Sequence, residues 1–193
     1  MTLHRLGPSA AVLAVALAAG AALAAGAPTT TVQGTLASIT ATAADVTTTT
    51  GTTAVAITDE TRVTRRVPAT LADVKTGSFL GVAANRTADG RLTAVSINIL
   101  DAFRAVARSG QFPMASGDVM TNADVTSVVT SASGRTITMT YQGKTARIIV
   151  PPNTPIHRVE PATIADLKAG QQVTVRGTAG PDGRVAASSI SIE

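Results

Sequence analysis

The chain has no cysteine and no tryptophan, and only one tyrosine, three phenylalanines and two histidines among its 193 residues. Without cysteine, disulfides and thiolate metal sites are impossible in any compartment. One histidine falls at position 4, so the body of the chain has His157 alone, and transition-metal or Ser–His chemistry lacks its usual partners. With 2% aromatic residues there is little for bases or sugar rings to stack on, which argues against a single-strand nucleic-acid platform. Charged residues make up only 15% and hydrophobic residues 45% of the chain, a balance that excludes a disordered polyampholyte.

What is present is mostly Ala, Val and Thr. Small and β-branched side chains favour strands and a core in which each residue buries modest area. The formal net charge is +4. The cations are mainly arginines spread from Arg62 to Arg184, a diffuse excess rather than a nucleic-acid stripe.

Residues Met1–Ala24 read as a secretory signal peptide. His4 and Arg5 form a short n-region, an uninterrupted apolar stretch runs from Ala10 to Ala19, and Ala22-Leu23-Ala24 offers small residues at a peptidase site. Ala25-Gly26-Ala27 is a second candidate, but Pro28 would then follow the cut. The competing reading is a membrane anchor, although the stretch is Ala/Gly-rich and weakly apolar for a permanent span of roughly 20 residues. No second apolar run of spanning length follows. A periplasmic or secreted location is therefore expected, with no membrane span after cleavage.

An internal repeat dominates the remainder. PATLADVKTGSFLGVAANRTADGRLTAVSINI (68–99) and PATIADLKAGQQVTVRGTAGPDGRVAASSISI (161–192) align without a gap, with roughly half the positions identical. The match extends back through Ile57, Thr61, Val63 and Arg65 to Val150, Thr154, Ile156 and Arg158, then shifts slightly at a hairpin. Alternating Ile137, Met139, Tyr141 and Ala146, Ile148, Val150 flank Gln142-Gly143, a two-residue hairpin turn. Leu80/Val82 and Val173/Val175 mark a later strand. Ala88-Asp89-Gly90 and Pro181-Asp182-Gly183 are turns into final strands that bury Ile97/Ile99 and Ile190/Ile192. Leu71–Val74 and Ile164–Leu167 suit single helical turns closed by Gly77 and Gly170.

These elements predict an all-β protein of two tandem, small, five- to six-stranded OB-like barrels, each with a short helical turn. A two-sheet sandwich is the alternative. The expected boundaries are an N-terminal tail at 25–30, one module at 31–100, a linker at 101–117 and a second module at 118–193. Phe103, Phe112, Pro113 and Met114 make that linker more apolar than a flexible one, so part of it should pack on a module.

The order of motifs is G-x-[LIV]-x-x-[IV] at Gly34–Ile39, T-x-[IV] at Thr61–Val63, A-x-[LI]-x-D-[LV]-K-x-G at Ala69–Gly77 and D-G-x-[LV]-x-A-x-x-I at Asp89–Ile97. It resembles a secreted bacterial OB-like domain of unknown function that often occurs in tandem. One departure is Ala123, which stands where Gly34 opens the first module. The resemblance implies fold and compartment, and no catalytic residues.

No catalytic, cofactor-binding or metal-binding residue is assigned. His157 is expected at a surface or edge position. No serine lies in G-x-S-x-G or S-x-x-K, and Ser131 and Ser133 fall in a turn. Asp45, Asp59, Glu60, Asp118 and Asp124 form no calcium loop. Asp89-Gly90-Arg91 and Asp182-Gly183-Arg184 read as turns with solvated arginines. Arg65/Arg158 and Asp73/Asp166 occur in both modules, so each Arg is expected beside its own module's Asp; the alternatives are that each Asp caps its local turn and that both arginines point outward to bind an anionic partner. The functional expectation is a non-catalytic binding or scaffolding protein with no cofactor and an unidentified partner, either an envelope protein or a polysaccharide. A carboxylate-dependent hydrolase or enzyme accessory domain, and an OB-type nucleic-acid binder, are the alternatives.

Overall fold

The structure, a computed structural model, describes residues 29–131 and 134–193. The expected leader lies outside these residues. The first pass of the chain is a meander of β1 (Thr29–Ile39), β2 (Ala43–Thr48) and β3 (Gly51–Ala56). It is followed by β4 (Arg62–Ala69), a 3-10 turn at Leu71–Asp73, and the hairpin β5 (Phe79–Arg86) and β6 (Leu92–Ile99). A 3-10 turn at Asp101–Phe103 and the short β7 (Gly110–Pro113) lead into the second pass. That pass repeats the order with β8 (Val119–Ser131), β9 (Gly134–Tyr141), β10 (Lys144–Val150) and β11 (Ile156–Ala162). A 3-10 turn at Ile164–Asp166 then precedes β12 (Gln172–Ala179) and β13 (Val185–Ile192). No helix among the described residues is long and apolar enough to cross a membrane.

Local chemistry sets these elements where the sequence placed them. Gln142 (φ 47°) and Gly143 (φ 74°) both take positive φ in the β9–β10 turn, the backbone of a type I′ hairpin. The 3-10 turns at Leu71–Asp73 and Ile164–Asp166 are each held by an aspartate: Asp73 Oδ2 accepts the Thr70 N–H and hydroxyl at 2.8 and 2.9 Å, and Asp166 Oδ2 does the same for Thr163, at 2.8 Å for each. The alternating apolar positions face inward as expected, with Ile97, Ile99, Ile137, Met139 and Ile148 fully buried.

The pairing between strands departs from two self-contained modules. β1 pairs with β12 (Val32↔Val175, Gly34↔Val173) and β5 pairs with β8 (Leu80↔Ala123, Val82↔Thr121). With the parallel contact β13–β3, the strands β1-β2-β3-β13-β12 close a five-stranded barrel. The same set of pairings links β8-β9-β10-β6-β5. Each ring thus takes a three-stranded meander from one repeat and a hairpin from the other. The cores divide the same way. Leu36, Val46 and Val55 pack with Val173, Val175 and Ile190, whereas Leu80, Val82 and Ile97 pack with Val125, Ile137 and Ile148.

The strands of 31–100 therefore do not close on themselves, and neither do those of 118–193. β4 and β11 carry the exchange. They run antiparallel side by side, from Ile156↔Ala69 to Ala162↔Val63. β4 also pairs in parallel with β13, and β11 with β6. Pro68 and Pro161 keep the preceding Val67 and Glu160 extended, so each strand continues straight into the other ring rather than folding back. The pair Arg66↔Val159 has the same separation (159 − 66 = 93) as Pro68 and Pro161, so it maps onto itself when the repeats are interchanged. An approximate two-fold axis passes there.

Two expected boundaries also move. Thr29 and Thr30, placed in the 25–30 tail, are already ladder residues of β1, opposite Thr178 and Gly177. Within the 101–117 linker, β7 pairs with β8, Arg108 lies 4.4 Å from the centre of the Phe112 ring, and Arg104 lies 5.4 Å from the Phe79 ring. The linker packs, as its apolar content predicted.

Candidate functional site: a groove across the seam

Because β4 and β11 join the rings edge to edge, β8-β5-β6-β11-β4-β13-β12-β1 form one continuous sheet. On the face of this sheet turned away from the two cores lies an open groove of about 350 Å³ centred on the two-fold axis. Its floor at the axis is Arg66 and Val159. Arg176, Gln33, Thr174 and Glu193 line one side, and Leu100, Met114, Met120 and Ala83 the other. The symmetry of the backbone is not followed by the side chains: Arg176 corresponds to Ala83, and Glu193 to Leu100. One end is polar and charged; the other is apolar and methionine-rich.

Arg66 organises the floor. Its Nη1 donates to Glu193 Oε2 at 2.7 Å, and its Nη2 is 3.4 Å from Asn98 Oδ1 and 3.2 Å from His157 Nδ1. An arginine only donates, so Nδ1 of His157 is the acceptor and the ring is neutral with its proton on Nε2. The pKa of His157 agrees in direction: burial pushes it below the usual histidine value of 6.5, the Arg66 charge pushes the same way, and Glu193 opposes. Arg66 Nε is buried without a partner among the described residues. The Arg176 guanidinium, by contrast, is in no ion pair or hydrogen bond among the described residues.

His157 is thus not at an edge. β11 lies between β4 and β6, and His157 is half-buried opposite Pro68 and beside Asn98. Residue patterns could not show this, because β11 reads as a short strand and its neighbours come from the other repeat.

The recurrent Arg and Asp residues are joined crosswise. Arg65 Nη2 meets Asp166 Oδ1 at 3.1 Å, and Arg158 Nη2 meets Asp73 Oδ1 at 3.9 Å. Each arginine reaches the other repeat's aspartate rather than its own, which the exchange through β4 and β11 explains. The capping role holds for both aspartates, and it is the main reason their pKa values fall below 3.8: the Thr70 or Thr163 backbone N–H comes first, the threonine hydroxyl second, with the crossed arginine adding to it.

The remaining sequence candidates are dispersed. Asp45 accepts from Ser38 Oγ, Asp118 from Ser116 Oγ, and Asp124 is paired with Arg104. Asp59 and Glu60 sit in the exposed turn before β4. Ser131 Oγ donates to Gly134 O, and Ser133 lies outside the described residues. Asp89 and Asp182 hold Arg91 and Arg184 at 2.7 and 3.9 Å across their turns. No three His, Asp or Glu side chains gather as metal ligands among the described residues.

No curated protein and no solved structure matches the chain. A family model described as a domain of unknown function (DUF5666) matches residues 126–191, from within β8 to β13.

Proposed function

We propose that this is a non-catalytic binding or scaffolding protein that acts outside the cytoplasm, in the periplasm or after secretion, and engages its partner along the seam groove. The observation that carries the reading is the groove itself. It lies where the two passes of the chain meet, and its two ends differ in chemistry although its backbone is nearly symmetric. A segment with a polar or acidic part for Arg176 and an apolar part for Met114 and Met120 matches that division. An envelope protein segment is the partner that fits, and the export-like sequence of residues 1–24 supports the compartment. The rings are read as OB type, since their strand order (meander strands 1-2-3, then 5, then 4, back to 1) follows that fold.

Two alternatives fit less well. A hydrolase needs a free imidazole or converging carboxylates, yet His157 Nδ1 is taken by Arg66, and Asp73 and Asp166 are held by turns. A nucleic-acid binder needs unneutralised cations in line, yet Arg65, Arg66, Arg91, Arg104, Arg158 and Arg184 each face a carboxylate. Immobilised protein should retain a partner from envelope extract, and Arg176→Glu or Met120→Lys should lose it. Equal retention by both folded variants would refute the groove as the binding surface.

A further inference from the structure

The end of the ring made by β8-β9-β10-β6-β5 carries a second concavity, of about 430 Å³, separate from the seam groove. Strand register builds it. Arg86 pairs with Leu92, and Leu92 pairs in parallel with Ile148. Arg91 and Arg147 each precede one of those partners, so three guanidinium groups collect at one end of the ring. Tyr141 and Gln111 complete the lining. Arg86 is held in place by Gly90 O at 3.2 Å and Gln111 Oε1 at 3.4 Å. Asp89 neutralises Arg91 at 2.7 Å. Arg147 is exposed, and its guanidinium is in no ion pair or hydrogen bond among the described residues. With three arginines and one aspartate, the site holds a local excess of two positive charges.

The internal comparison separates Arg86 and Arg147 from what the fold requires, whereas Arg91 recurs in the other ring and Tyr141 also packs against its own ring's core. At the matching separation of 93 residues, Arg86 corresponds to Ala179, Arg147 to Ala54 and Tyr141 to Thr48. Only the Asp–Gly–Arg turn is present at both ends. The other ring closes the same strands without any of the three, so they do not serve strand pairing.

We infer that Arg86, Arg91, Arg147 and Tyr141 form a binding site for an acidic sugar unit of an extracellular polysaccharide. Arginine forks match a carboxylate in bidentate fashion. Tyr141, half-buried against the core of this ring, borders the concavity and meets the pyranose with the part left accessible there, and Gln111 and Thr145 supply polar groups for its hydroxyls. One aromatic ring with two excess charges suits a short anionic oligosaccharide better than a nucleic-acid strand, which uses successive stacking rings.

The test uses the protein's single tyrosine. With no tryptophan and only Tyr141, intrinsic tyrosine emission reports this site alone. An oligogalacturonate should change that emission saturably, with affinity falling as salt rises. Its methyl-esterified, uncharged form should not. Arg147→Ala should weaken binding about tenfold, the scale of one charge-assisted contact, while Arg184→Ala at the other ring leaves it unchanged. Far-UV circular dichroism would establish that both variants are folded. Three results would overturn the site: no saturable change in emission, equal binding by wild type and Arg147→Ala, or a single-stranded oligonucleotide binding as tightly as the sugar acid. The seam groove is tested with different variants and a different readout, so either reading can fail alone.

Discussion

Truncating Val175 tests the shared cores in a position-specific way. Val175 is 1% exposed and packs among Leu36, Val46 and Val55 from the first pass of the chain. Val175→Ala removes two methyl groups, about 1.6 kcal/mol of transfer free energy. A residual cavity of about 40 Å³ adds about 1 kcal/mol. The sum, about 2.5 kcal/mol, raises the open population roughly 70-fold. Native-state hydrogen exchange should therefore speed up in β12 and β13 and equally in β1–β3, more than a hundred residues away in sequence. β8–β10, which belong to Val175's own repeat, should be affected less. Val82→Ala, at the equivalent site and also fully buried, should give the mirror pattern, with β5, β6 and β8–β10 accelerated. If Val175→Ala instead accelerated β8–β13 and spared β1–β3, the exchange of halves would be wrong.

Other outcomes follow from single features. A Cβ on Gly177 would stand 2.1 Å from Ala186 O, a backbone atom, so Gly177→Ala should cost about 3 kcal/mol or more in denaturant unfolding. Gly117→Ala has open space around it, so its cost should come from φ +87° alone, about 1–2 kcal/mol. His157 has a folded pKa below its ordinary 6.5, so its contribution to stability is complete above that value and is lost as pH falls through the folded pKa. The fall in Tm between pH 7 and 5.5 should shrink in His157→Gln, which still offers Arg66 an acceptor; an unchanged fall would contradict this. Asp73 and Asp166 are depressed below 3.8, so their stabilisation is present above that pH and lost on acidification. Asp73→Asn should lower Tm at pH 7 and flatten its decline near pH 3. Raising salt should screen the exposed Arg65–Asp166 contact yet move Tm little, because such a pair contributes less than about 1 kcal/mol.

Strand positions, hairpins and inward-facing residues were legible because they obey local rules. The alternation at Ile137 and Met139, the Gln142-Gly143 turn and the Thr-x-x-Asp turns each depend on a few neighbouring residues. Which hairpin completes which ring does not. Leu80/Val82 and Val173/Val175 are nearly interchangeable in size and pattern, so either could line either core, and sequence periodicity assigns no preference. The connecting strands decide it. β4 and β11 are extended up to Pro68 and Pro161, and their pairing joins two passes of the chain. The seam groove was hidden for the same reason: Arg66, His157, Asn98 and Glu193 are far apart in sequence, and their proximity depends on the exchange. The crossed Arg65–Asp166 and Arg158–Asp73 contacts were half visible, as recurrent residue types whose partners sequence could not pair.

The absence of cysteine makes one measurement decisive for the exchanged architecture. Thr29 and Thr178 are opposite each other on β1 and β12, and both are exposed. In a self-contained first module, Thr29 would instead face Asn85, the residue 93 positions before Thr178. Thr29→Cys/Thr178→Cys should form an intramolecular disulfide under mild oxidation, seen as a cross-linked peptide by mass spectrometry. Thr29→Cys/Asn85→Cys should remain reduced in the monomer. Disulfide formation in the Asn85 pair, with none in the Thr178 pair, would contradict the account.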